Sequence, residues 1–459
     1  MKVLLVSPNI ETLPDPVFPL GLACLAGALQ KNSIPCSVLD LCFARDYEAA
    51  IAEALQSFQP DMVCLSIRNI DNVSYPNSIS YLPFYRQVAQ SIRQKTSAVL
   101  VLGGSGFSLL PDALVSYLGA DLGIVGEGEQ ALVSVIRQLE AGSPPHQAGT
   151  VITAGPTADG SHSLDGLCEP DRSGFDNAAY LQQGGMGNIQ TKRGCPFQCI
   201  YCTYPLIEGR TVRLRSPGRV CDEIEHMLAR GITSIFFVDN EFNYPAEHAA
   251  AICREIIARR LPVAWSCYAH PAFVTSELID LMQAAGCTGL EFGSDAAHPA
   301  MLHSLGKNFT VKQLENASVI CREAGMPFCH SLLLGGPGET MTTLEQTIEE
   351  VQAMSATAVI CMIGIRIFPR TVLATIAAAE GIVGPETDFL KPVFYLSPDV
   401  KDDIVRYMER FSKKHRSWIF PGLNINMNTD LQRKLRRFGI KGPLWEHMKT
   451  GRRARRTVS

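Results

Sequence analysis

Three cysteines stand close together in the segment TKRGCPFQCIYCTYP, at Cys195, Cys199 and Cys202. Thiolates bind iron–sulfur clusters and zinc. Three of them on one loop can hold three irons of a [4Fe–4S] cube and leave the fourth iron open to an external chelator. A structural zinc site usually needs four closed ligands, and the chain has no second CxxC and no suitably spaced His pair. The spacing therefore predicts an iron–sulfur cluster.

The composition is that of an ordinary globular chain. Its 459 residues are 46% apolar and 19% charged, which indicates two or three domains and excludes a fibrous or disordered protein. Most of the 15 cysteines stand singly in apolar stretches, so a disulfide framework is not expected. No charge-free run reaches the roughly 18 residues of a membrane span, and the start MKVLLVSPN lacks the apolar core of a secretory signal. We therefore expect a cytoplasmic protein.

The elements that position the cysteines begin with a β/α alternation over residues 1–140. Short apolar strands are each followed by a segment of helical period. The predicted strands are Val3–Val6, Cys36–Leu41, Met62–Ile67, Ala98–Leu102 and Leu122–Val125, and the helices lie near Leu20–Gln30, Tyr47–Ser57, Leu82–Ser91, Asp112–Tyr117 and Gln130–Leu139. This pattern predicts a doubly wound parallel sheet of the flavodoxin or Rossmann type, whose functional loops follow the strands.

A change of composition separates this domain from a second one. Residues 141–184 are rich in Gly, Pro, Ser and Asp, which predicts a linker. The alternation resumes over residues 185–384 with six predicted strands, so a partial (β/α)6 barrel is expected. These strands lie near Ile189–Lys192, Ser234–Val238, Val263–Tyr268, Gly289–Phe292, Phe328–Leu334 and Val359–Ile367.

The remaining residues, 385–459, are predicted to form a mainly helical C-terminal region with a basic end. Residues 401–459 contain 16 Lys+Arg and 5 Asp+Glu, a net charge of +11, whereas residues 1–400 contain 25 and 40, a net charge of −15. The final GRRARRTVS is typical of a solvated tail. Contact with an anionic substrate, a membrane surface or RNA is the alternative, and the tail alone does not decide.

The CxxxCxxC spacing, with the aromatic Tyr201 before the last cysteine, resembles the signature of the radical S-adenosylmethionine superfamily. The resemblance covers roughly residues 185–385 and implies a partial parallel barrel. It implies a [4Fe–4S] cluster on Cys195, Cys199 and Cys202, with Tyr201 beside S-adenosylmethionine. In that family the open iron is chelated by S-adenosylmethionine, and one electron yields a 5′-deoxyadenosyl radical. A flavodoxin-type electron donor is implied as well.

Residues after the second and fourth barrel strands resemble the S-adenosylmethionine site of that family. Asp239, Asn240 and Glu241 stand where the family binds the methionine amino group, although its commoner Gly-Gly-Glu is absent. Carboxylates in this position suit an ammonium group. Glu291, at the predicted end of the fourth strand, resembles the acidic residue that faces the ribose. A solvated carboxylate at a strand end is its plain alternative.

Further positions extend this resemblance. Gly335 and Gly336, in LLLGGPGET, resemble the fifth-strand motif whose glycines let the backbone approach the adenine closely. Lys307 occurs at a corresponding place in related sequences, with a surface lysine as the equal alternative. Arg366, at the end of the sixth strand, is predicted either to meet a carboxylate or shape the substrate pocket, or to be an ordinary solvated arginine.

The first domain resembles the cobalamin-binding domain of the cobalamin-dependent branch of this superfamily. Ser66, after the third strand, and the pair Gly103 and Gly104, after the fourth, resemble the elements that hold the nucleotide tail and pass close to the cofactor. A bare Gly-Gly turn is common and is a weak signal by itself. Glu127, in VGEGE, closes the fifth strand as it does in that branch.

This domain offers cobalt no imidazole, because the Asp-x-His-x-x-Gly motif is missing and the first histidine of the chain is His146. Arg68 and Asn69, in SIRNIDN, occupy the loop that would face the cobalt. A cation there would disfavour an additional positively charged ligand state. A salt-bridged strand-end arginine is the alternative for Arg68. Asn69, Asp71 and Asn72 shape that loop or simply turn the chain.

Together these features imply a cobalamin-dependent radical S-adenosylmethionine methyltransferase that acts on an unactivated carbon, or on phosphorus, of a small-molecule or lipid substrate. The alternative is a cobalamin-dependent radical cyclase, rearrangement or oxidation enzyme with the same cofactor residues. A methylthiotransferase-like enzyme, or an RNA-binding protein with a zinc loop, ranks third, so nucleic acid is the less favoured partner. The sequence predicts neither the substrate nor a catalytic residue.

Overall fold

The chain forms two compact units. The computed structural model describes residues 1–12, 15–142, 149–154, 163–427 and 429–448. The first unit comprises Met1–Val73, Ser78–Glu223 and Arg366–Val393, and the second comprises Ser74–Asn77, Ile224–Ile365 and Phe394–Ser459. The basic tail GRRARRTVS lies outside the described residues.

The first unit is built on a six-stranded parallel sheet in the order β2-β1-β3-β4-β5-β6. The strands are β1 (Val3–Ser7), β2 (Cys36–Asp40), β3 (Met62–Ser66), β4 (Val99–Gly103), β5 (Leu122–Gly126) and β6 (Thr150–Ala154). The helices between them are α1 (Leu20–Lys31), α2 (Tyr47–Phe58), α3 (Leu82–Lys95), α4 (Pro111–Leu118) and α5 (Gly128–Glu140). The predicted doubly wound α/β fold is confirmed.

Strand β1 shows why these residues form a central strand. Leu4 and Val6 enter the apolar core on one face of the sheet, and Val3 and Leu5 enter the core on the other face. Successive side chains of a strand point to opposite faces, so a parallel sheet covered by helices on both sides needs a continuous apolar run. Each such fully buried side chain contributes about 1.5–3 kcal/mol through removal of its surface from water.

The rest of the first unit contains the segment predicted as a linker and the segment with three cysteines. Its further elements are α6 (Asn177–Gln182), β7 (Gly187–Ile189), β8 (Lys192–Arg193), α7 (Tyr204–Ile207), β9 (Arg213–Leu214), the start of α8 (Pro217–Ala229) and α14 (Val372–Ala379). Strands β8 and β9 pair antiparallel. The predicted linker, 141–184, contains β6 and α6, because its apolar TVITA pairs along β5 despite the Gly- and Pro-rich residues around it.

The second unit contains a parallel sheet in the order β17-β14-β13-β12-β11-β10. Its strands are β10 (Ser234–Phe237), β11 (Ala264–Ala269), β12 (Cys287–Asp295), β13 (Phe328–Leu334), β14 (Ala358–Ile363), β15 (Ile365–Arg366), β16 (Phe394–Tyr395) and β17 (Trp418–Ile419). Its helices are α9 (Ala246–Ala258), α10 (Ser276–Ala284), α11 (Pro299–Ser304), α12 (Val311–Glu323), α13 (Met341–Met354), α15 (Ile404–Ser412) and α16 (Thr429–Arg437). The predicted β/α alternation is present.

Residues 366–393 belong to the first unit although they follow β10 to β14 of the second sheet in the chain. Phe368, Phe389 and Leu390 pack against the core on one face of the first sheet. Compact units follow contacts in space, so they divide the chain differently from the predicted boundaries 1–140, 141–184, 185–384 and 385–459. Those domain boundaries stay predictions.

Arg366 pairs with a carboxylate of the protein itself. Its Nε donates to Asp71 Oδ2 at 2.9 Å, and both side chains are almost fully buried. The guanidinium also donates to the carbonyl oxygens of Ile367 at 2.8 Å and Phe389 at 2.9 Å. The structure therefore agrees with the interpretation that Arg366 meets a carboxylate, and it excludes an ordinary solvated arginine at this position.

The buried carboxylate of Glu223 yields a prediction about stability. It accepts from Arg172 Nη2 at 2.9 Å and from Arg215 Nη1 at 2.6 Å, and its side chain is 1% exposed. Glu223→Ala leaves two desolvated cations without their carboxylate, so we expect the free energy of unfolding to fall by about 3–5 kcal/mol. Urea denaturation measures this loss.

Glu225→Ala is the matched control, because Glu225 lies on the same helix and pairs with Arg259 at 3.2 Å while 48% exposed. An exposed pair contributes about 0–1 kcal/mol. Equal losses in the two variants would contradict the role given to burial.

Candidate functional site

A cavity of about 260 Å³ opens at the carboxyl ends of β3, β4 and β5 in the first unit. Ser66, Gly103 and Gly104 line it together with Cys24 of α1 and Leu132 of α5. The order of the sheet reverses between β1 and β3, and open α/β sheets bind ligands beside such a reversal, outside the carboxyl ends of the strands. The predicted Ser66 and Gly-Gly elements therefore share one cavity.

Close backbone contacts hold the loops after β3 and β4 together. Gly104 has a φ of +102°, and a Cβ on it would lie 2.6 Å from the Ile67 carbonyl oxygen. Ser105 Oγ donates to the Arg68 carbonyl oxygen at 2.9 Å. At Gly103, by contrast, a Cβ would come no closer than 3.7 Å to its neighbour. Of the predicted pair, Gly104 is the position that requires glycine.

The loop that these contacts support carries Arg68 and Asn69, whose side chains are both exposed. Asp71 behind them is buried in its ion pair with Arg366. Asn72 closes the loop, since its Oδ1 accepts from Ile79 N at 2.9 Å. Asp71 and Asn72 therefore shape the loop, and Arg68 and Asn69 are presented at its surface.

The segment with three cysteines belongs to the same unit. Cys195 is buried, and Cys199 and Cys202 are half-buried. Cys195 N donates to the Gly209 carbonyl oxygen at 3.1 Å, and Cys202 N donates to that of Cys199 at 3.2 Å. Tyr201, half-buried, stands between the last two cysteines. In the described part of the chain no three His, Cys, Asp or Glu side chains converge as ligands of one metal ion do.

Residues that flank the cysteines line the same cavity as the ends of β3, β4 and β5. Gln190 and Arg193 come from the amino-terminal side of the cysteines, and Ile207 and Glu208 from the carboxyl-terminal side. Glu208 also accepts from Gly194 N at 3.1 Å, which fixes the backbone beside Cys195. Residues that flank the cysteine motif and the predicted nucleotide-tail elements thus line one cavity.

A group of buried charges stabilises this arrangement. Arg193 contacts Glu129 at 2.5 Å and Glu127 at 3.2 Å, and Arg213 pairs with Glu127 as well. Burial by itself would raise the pKa of Glu129, but the charge and the hydrogen bond of Arg193 outweigh it and hold that pKa below its usual value. Glu127, a predicted cofactor residue, lines the cavity as part of this group. Sequence reasoning missed Arg193, Arg213 and Glu129.

In the second unit, the predicted Asp239, Asn240 and Glu241 follow β10. Asp239 is buried, and the other two are half-buried. Asn243 attaches this loop to the end of β11, because its Oδ1 accepts from His270 N at 2.7 Å and its Nδ2 donates to the His270 carbonyl oxygen at 2.9 Å. No sequence signal had singled out Asn243.

Glu291 lies in the middle of β12 and not at its end. The strand continues through Gly293 and Ser294 to Asp295, because the extended backbone tolerates an irregularity in its pairing with β13 there. Glu291 Oε1 accepts from Trp445 Nε1 at 2.7 Å. Burial raises the pKa of Glu291, and the hydrogen bond from Trp445 opposes that effect. The interpretation as a solvated strand-end carboxylate is wrong.

Gly335 and Gly336 follow β13 and are held by Glu339, three residues beyond them. Gly335 has a φ of +92° and donates its N–H to the Glu339 carboxylate. Ser397 fixes the loop from outside, donating its N–H to the Gly335 carbonyl oxygen at 2.8 Å and its Oγ–H to that of Glu339 at 2.7 Å. Glu339 is fully buried, and burial raises its pKa to about 7 against the bonds from Gly335 and Gly336.

Lys307 forms an ion pair with Asp295 at the end of β12. The Nζ to Oδ2 distance is 2.8 Å, and the side chains are 7% and 6% exposed. The alternative of a surface lysine is therefore wrong.

The helices of the described residues were also compared with the length and hydropathy that a membrane span requires, and none of them reaches both.

Two protein families match the chain along its length. The Radical SAM superfamily matches residues 189–351, and the B12 binding domain matches residues 6–136. The first range contains the cysteine motif, Glu291 and the glycines after β13. The second contains Ser66, the Gly-Gly pair and Glu127. Both predicted cofactor domains are confirmed.

Characterised relatives match across both domains. A tryptophan 2-C-methyltransferase of Streptomyces laurentii is 28% identical over 450 residues, which cover 82% of this chain and 74% of the relative. An anaerobic magnesium-protoporphyrin IX monomethyl ester cyclase of Cereibacter sphaeroides is 28% identical over 374 residues, which cover 76% of this chain and 59% of the relative. The relatives thus include a methyltransferase and a cyclase.

A solved structure matches almost the whole chain. The radical S-adenosylmethionine methyltransferase TsrM from Kitasatospora setae, with cobalamin and a [4Fe–4S] cluster bound, is 27% identical, covers 97% of each chain and gives a TM-score of 0.83. Its complex with tryptophan and a S-adenosylmethionine analogue gives a TM-score of 0.85 over the same coverage. With the family matches, this places the chain among the radical S-adenosylmethionine enzymes that have a B12-binding domain, in their cobalamin-dependent methyltransferase family.

Proposed function

We propose that this protein binds a [4Fe–4S] cluster, S-adenosylmethionine and cobalamin and transfers a methyl group to an unactivated carbon, or to phosphorus, of a small-molecule or lipid substrate. One observation carries the proposal: residues that flank the three cysteines and residues that end β3, β4 and β5 line one cavity in one compact unit. A transfer between two cofactors requires that kind of shared space.

The cysteine segment has the donor set for a cluster with one open iron. Cys195, Cys199 and Cys202 would each hold a different iron, so their thiols need to be spread around a cube and not converge on one point. The backbone that carries Cys195 is fixed by Gly209 and Glu208. The half-buried positions of the other two thiols leave one side of the cluster accessible to S-adenosylmethionine.

The cavity of the first unit suits a cobalamin that receives no histidine from this domain. We assign Ser66, Gly103 and Gly104 to the nucleotide tail and the close backbone approach. The exposed Arg68 and Asn69 face the cobalt side, where a fixed positive charge disfavours a further cationic ligand state. Glu127 acts through the ion pairs that keep the cysteine segment at the mouth of the cavity.

The second unit would hold S-adenosylmethionine along the carboxyl halves of β10, β12 and β13. The carboxylates after β10 suit the methionine ammonium, Glu291 suits the ribose hydroxyls, and Gly335 and Gly336 suit the adenine. These roles are carried over from the resemblance, and the positions belong to one parallel sheet, in which β12 and β13 are neighbours and β11 separates β12 from β10. When bound, S-adenosylmethionine supplies the methyl group and the radical, and cobalamin carries the methyl group.

A cobalamin-dependent cyclase or other radical enzyme without methyl transfer is the second candidate, favoured by the relative from Cereibacter sphaeroides. It would use the same cofactor residues, because the two reactions differ in the fate of the methyl group. A flavodoxin-type electron donor, an anionic substrate and a cytoplasmic location complete the proposal. Tryptophan, present in the Kitasatospora setae complex, is the first substrate to test.

The cofactor content tests the proposal directly. Protein purified without oxygen and reconstituted with iron, sulfide and hydroxocobalamin should contain about four irons and one corrin per chain. A variant with Cys195, Cys199 and Cys202 all replaced by Ala should lose the iron, whereas the control Cys168→Ala should retain it. Iron without corrin would contradict the cobalamin part, and zinc in place of iron would overturn both parts.

The fate of the methyl group separates the two candidate reactions. With S-adenosylmethionine that carries a 13C-labelled methyl group, a methyltransferase should place the label in the product, measured by mass spectrometry. Conversion of a substrate without label in its product would instead support the cyclase or rearrangement candidate.

Gly104→Ala should weaken corrin binding, because φ is +102° and the new Cβ would lie 2.6 Å from a carbonyl oxygen of the supporting loop. We expect at least a tenfold higher dissociation constant for hydroxocobalamin by equilibrium dialysis, which corresponds to about 1.4 kcal/mol. Gly384→Ala is the control, since a Cβ there has nothing within 4 Å among the described residues. Unchanged corrin binding in Gly104→Ala would contradict the assigned contact.

Glu339→Gln should reduce the pH dependence of stability. The folded protein raises the pKa of Glu339 from 4.5 to about 7, so it binds this proton more tightly than the unfolded chain does. The free energy of unfolding therefore falls as the pH rises from about 4.5 to about 7, by about 3 kcal/mol for this group. The variant should lose that part of the fall, measured from urea midpoints at pH 5 and pH 8.

Glu350→Gln, at an exposed position of the following helix α13, is the control. Its free energy of unfolding should fall with rising pH as much as that of the wild type. The same pH dependence in the wild type and in Glu339→Gln would show that Glu339 does not hold the raised pKa.

A further inference from the structure

The two faces of β12 have different surroundings. On the helix side, Ser294 bonds His330 at 2.8 Å, and His330 in turn contacts Ser318 of α12 at 3.3 Å. Side chains of a strand alternate between faces, so Gly289, Glu291 and Gly293 share the opposite face. On that second face the Glu291 carboxylate lies between two glycines, Gly289 and Gly293.

Described residues near the C-terminus cover the lower part of this second face. A Cβ on Gly289 would lie 2.9 Å from Trp445 Cη2 and 2.7 Å from Glu446 Oε1. Trp445 is 5% exposed and packs on Cys329, the second residue of β13, and on Ala358, the first residue of β14. The turn Leu444–His447 therefore closes the sheet at the amino ends of its strands.

Above Glu291 the same face is open. A Cβ on Gly293 would meet none of the described residues within 4 Å. Glu291 thus lies at the boundary between the covered half of the strand and the half that leads to the carboxyl edge. Its Oε1 is engaged from below by Trp445 Nε1 at 2.7 Å. This hydrogen bond restrains one oxygen of the carboxylate beside the turn and limits the orientations that the Glu291 side chain can adopt.

We propose that Trp445 is a positioning residue for S-adenosylmethionine: it forms the floor of the site and orients Glu291 toward the ribose hydroxyls. The proposal rests on the proposed role of Glu291 in binding that ligand. The geometry of the ribose contact would then depend on a residue that lies 154 positions from Glu291 in the chain. The indole is suited to this, because its rigid body packs on the apolar strand starts while its one N–H reaches the carboxylate.

The charge of Glu291 depends on the same bond. The titratable groups packed near it are Glu446 on the turn, Cys329 on β13 and Tyr268 on β11, and none of these is a cation. Loss of the indole N–H would therefore raise the pKa of Glu291 further, and the carboxylate would be protonated at a higher pH. Ligand binding should then weaken more as the pH is lowered.

The test measures the dissociation constant of radiolabelled S-adenosylmethionine by anaerobic equilibrium dialysis of the cluster-loaded full chain. Trp445→Phe keeps most of the packing and removes the donor, so we expect about tenfold weaker binding at pH 8 and a larger loss at pH 6. Glu291→Gln should weaken binding as well. The double variant should bind about as Glu291→Gln does, because both changes remove one contact.

Trp418→Phe is the matched control, since Trp418 packs with Phe411 in another apolar cluster of the unit. If it weakens binding as much as Trp445→Phe, general loss of packing explains the effect and the proposal fails. Wild-type binding by Trp445→Phe together with weak binding by Glu291→Gln would overturn the role of Trp445 and leave the proposed function intact. Wild-type binding by Glu291→Gln would overturn the ribose contact itself.

A second variant decides the matter if Trp445→Phe does not fold. Gly289→Ala keeps the indole but introduces a Cβ at 2.9 Å from it, which displaces the turn. Weaker binding of S-adenosylmethionine by Gly289→Ala supports the proposal, and unchanged binding contradicts it.

Discussion

The pairing of opposite charges between Arg193, Arg213, Glu127 and Glu129 determines how the first unit can work. Two arginines of the cysteine segment meet two carboxylates at the start of α5, and little of their surface remains in water. Removing one member of such a group leaves a desolvated charge without its partner, which is far more costly than loss of an exposed pair. The cysteine segment is therefore held at the carboxyl edge of the sheet by ion pairs whose separation has a high free-energy cost.

Backbone contacts fix further loops at the proposed cofactor sites. Because Gly104 has no Cβ, the loop after β4 can approach the backbone of the loop after β3. The Glu339 carboxylate holds the loop after β13 by accepting from the Gly335 N–H. Both devices fix main-chain atoms at positions proposed for cofactor contact. Each has an energetic cost: Gly104 adopts a conformation that other residues rarely take, and Glu339 buries a carboxyl group. A local sequence pattern reveals neither feature.

The sequence predicted the elements well because their signal is local. The apolar run of β1 and the helical period of α1 lie within a few residues of each other, and both were placed to within about a residue. Strand β6 was missed because its five residues stand among Gly, Pro and Ser, where a short apolar run carries no period. Glu291 was placed at a strand end because the predicted strand stopped at Phe292, although the strand continues through Gly293 and Ser294 to Asp295.

Contacts between distant residues were beyond the sequence for a different reason. The cysteines could be found because their spacing is itself the ligand pattern. The pairs Arg366–Asp71 and Trp445–Glu291 are 295 and 154 residues apart in the chain, and no periodicity links their members. Each side chain could be named as polar or aromatic, but only the folded backbone decides which of them meet.

The membership of residues 366–393 in the first unit has a consequence for synthesis of the protein. A nascent chain usually folds from its N-terminus, domain by domain, as it leaves the ribosome. Here Asp71 can pair with Arg366, and the first core can contact Phe368, Phe389 and Leu390, only after β10 to β14 have been synthesised. The first unit is thus completed only after β10 to β14 have been made, and a ribosome that stalls before residue 393 would leave both units incomplete.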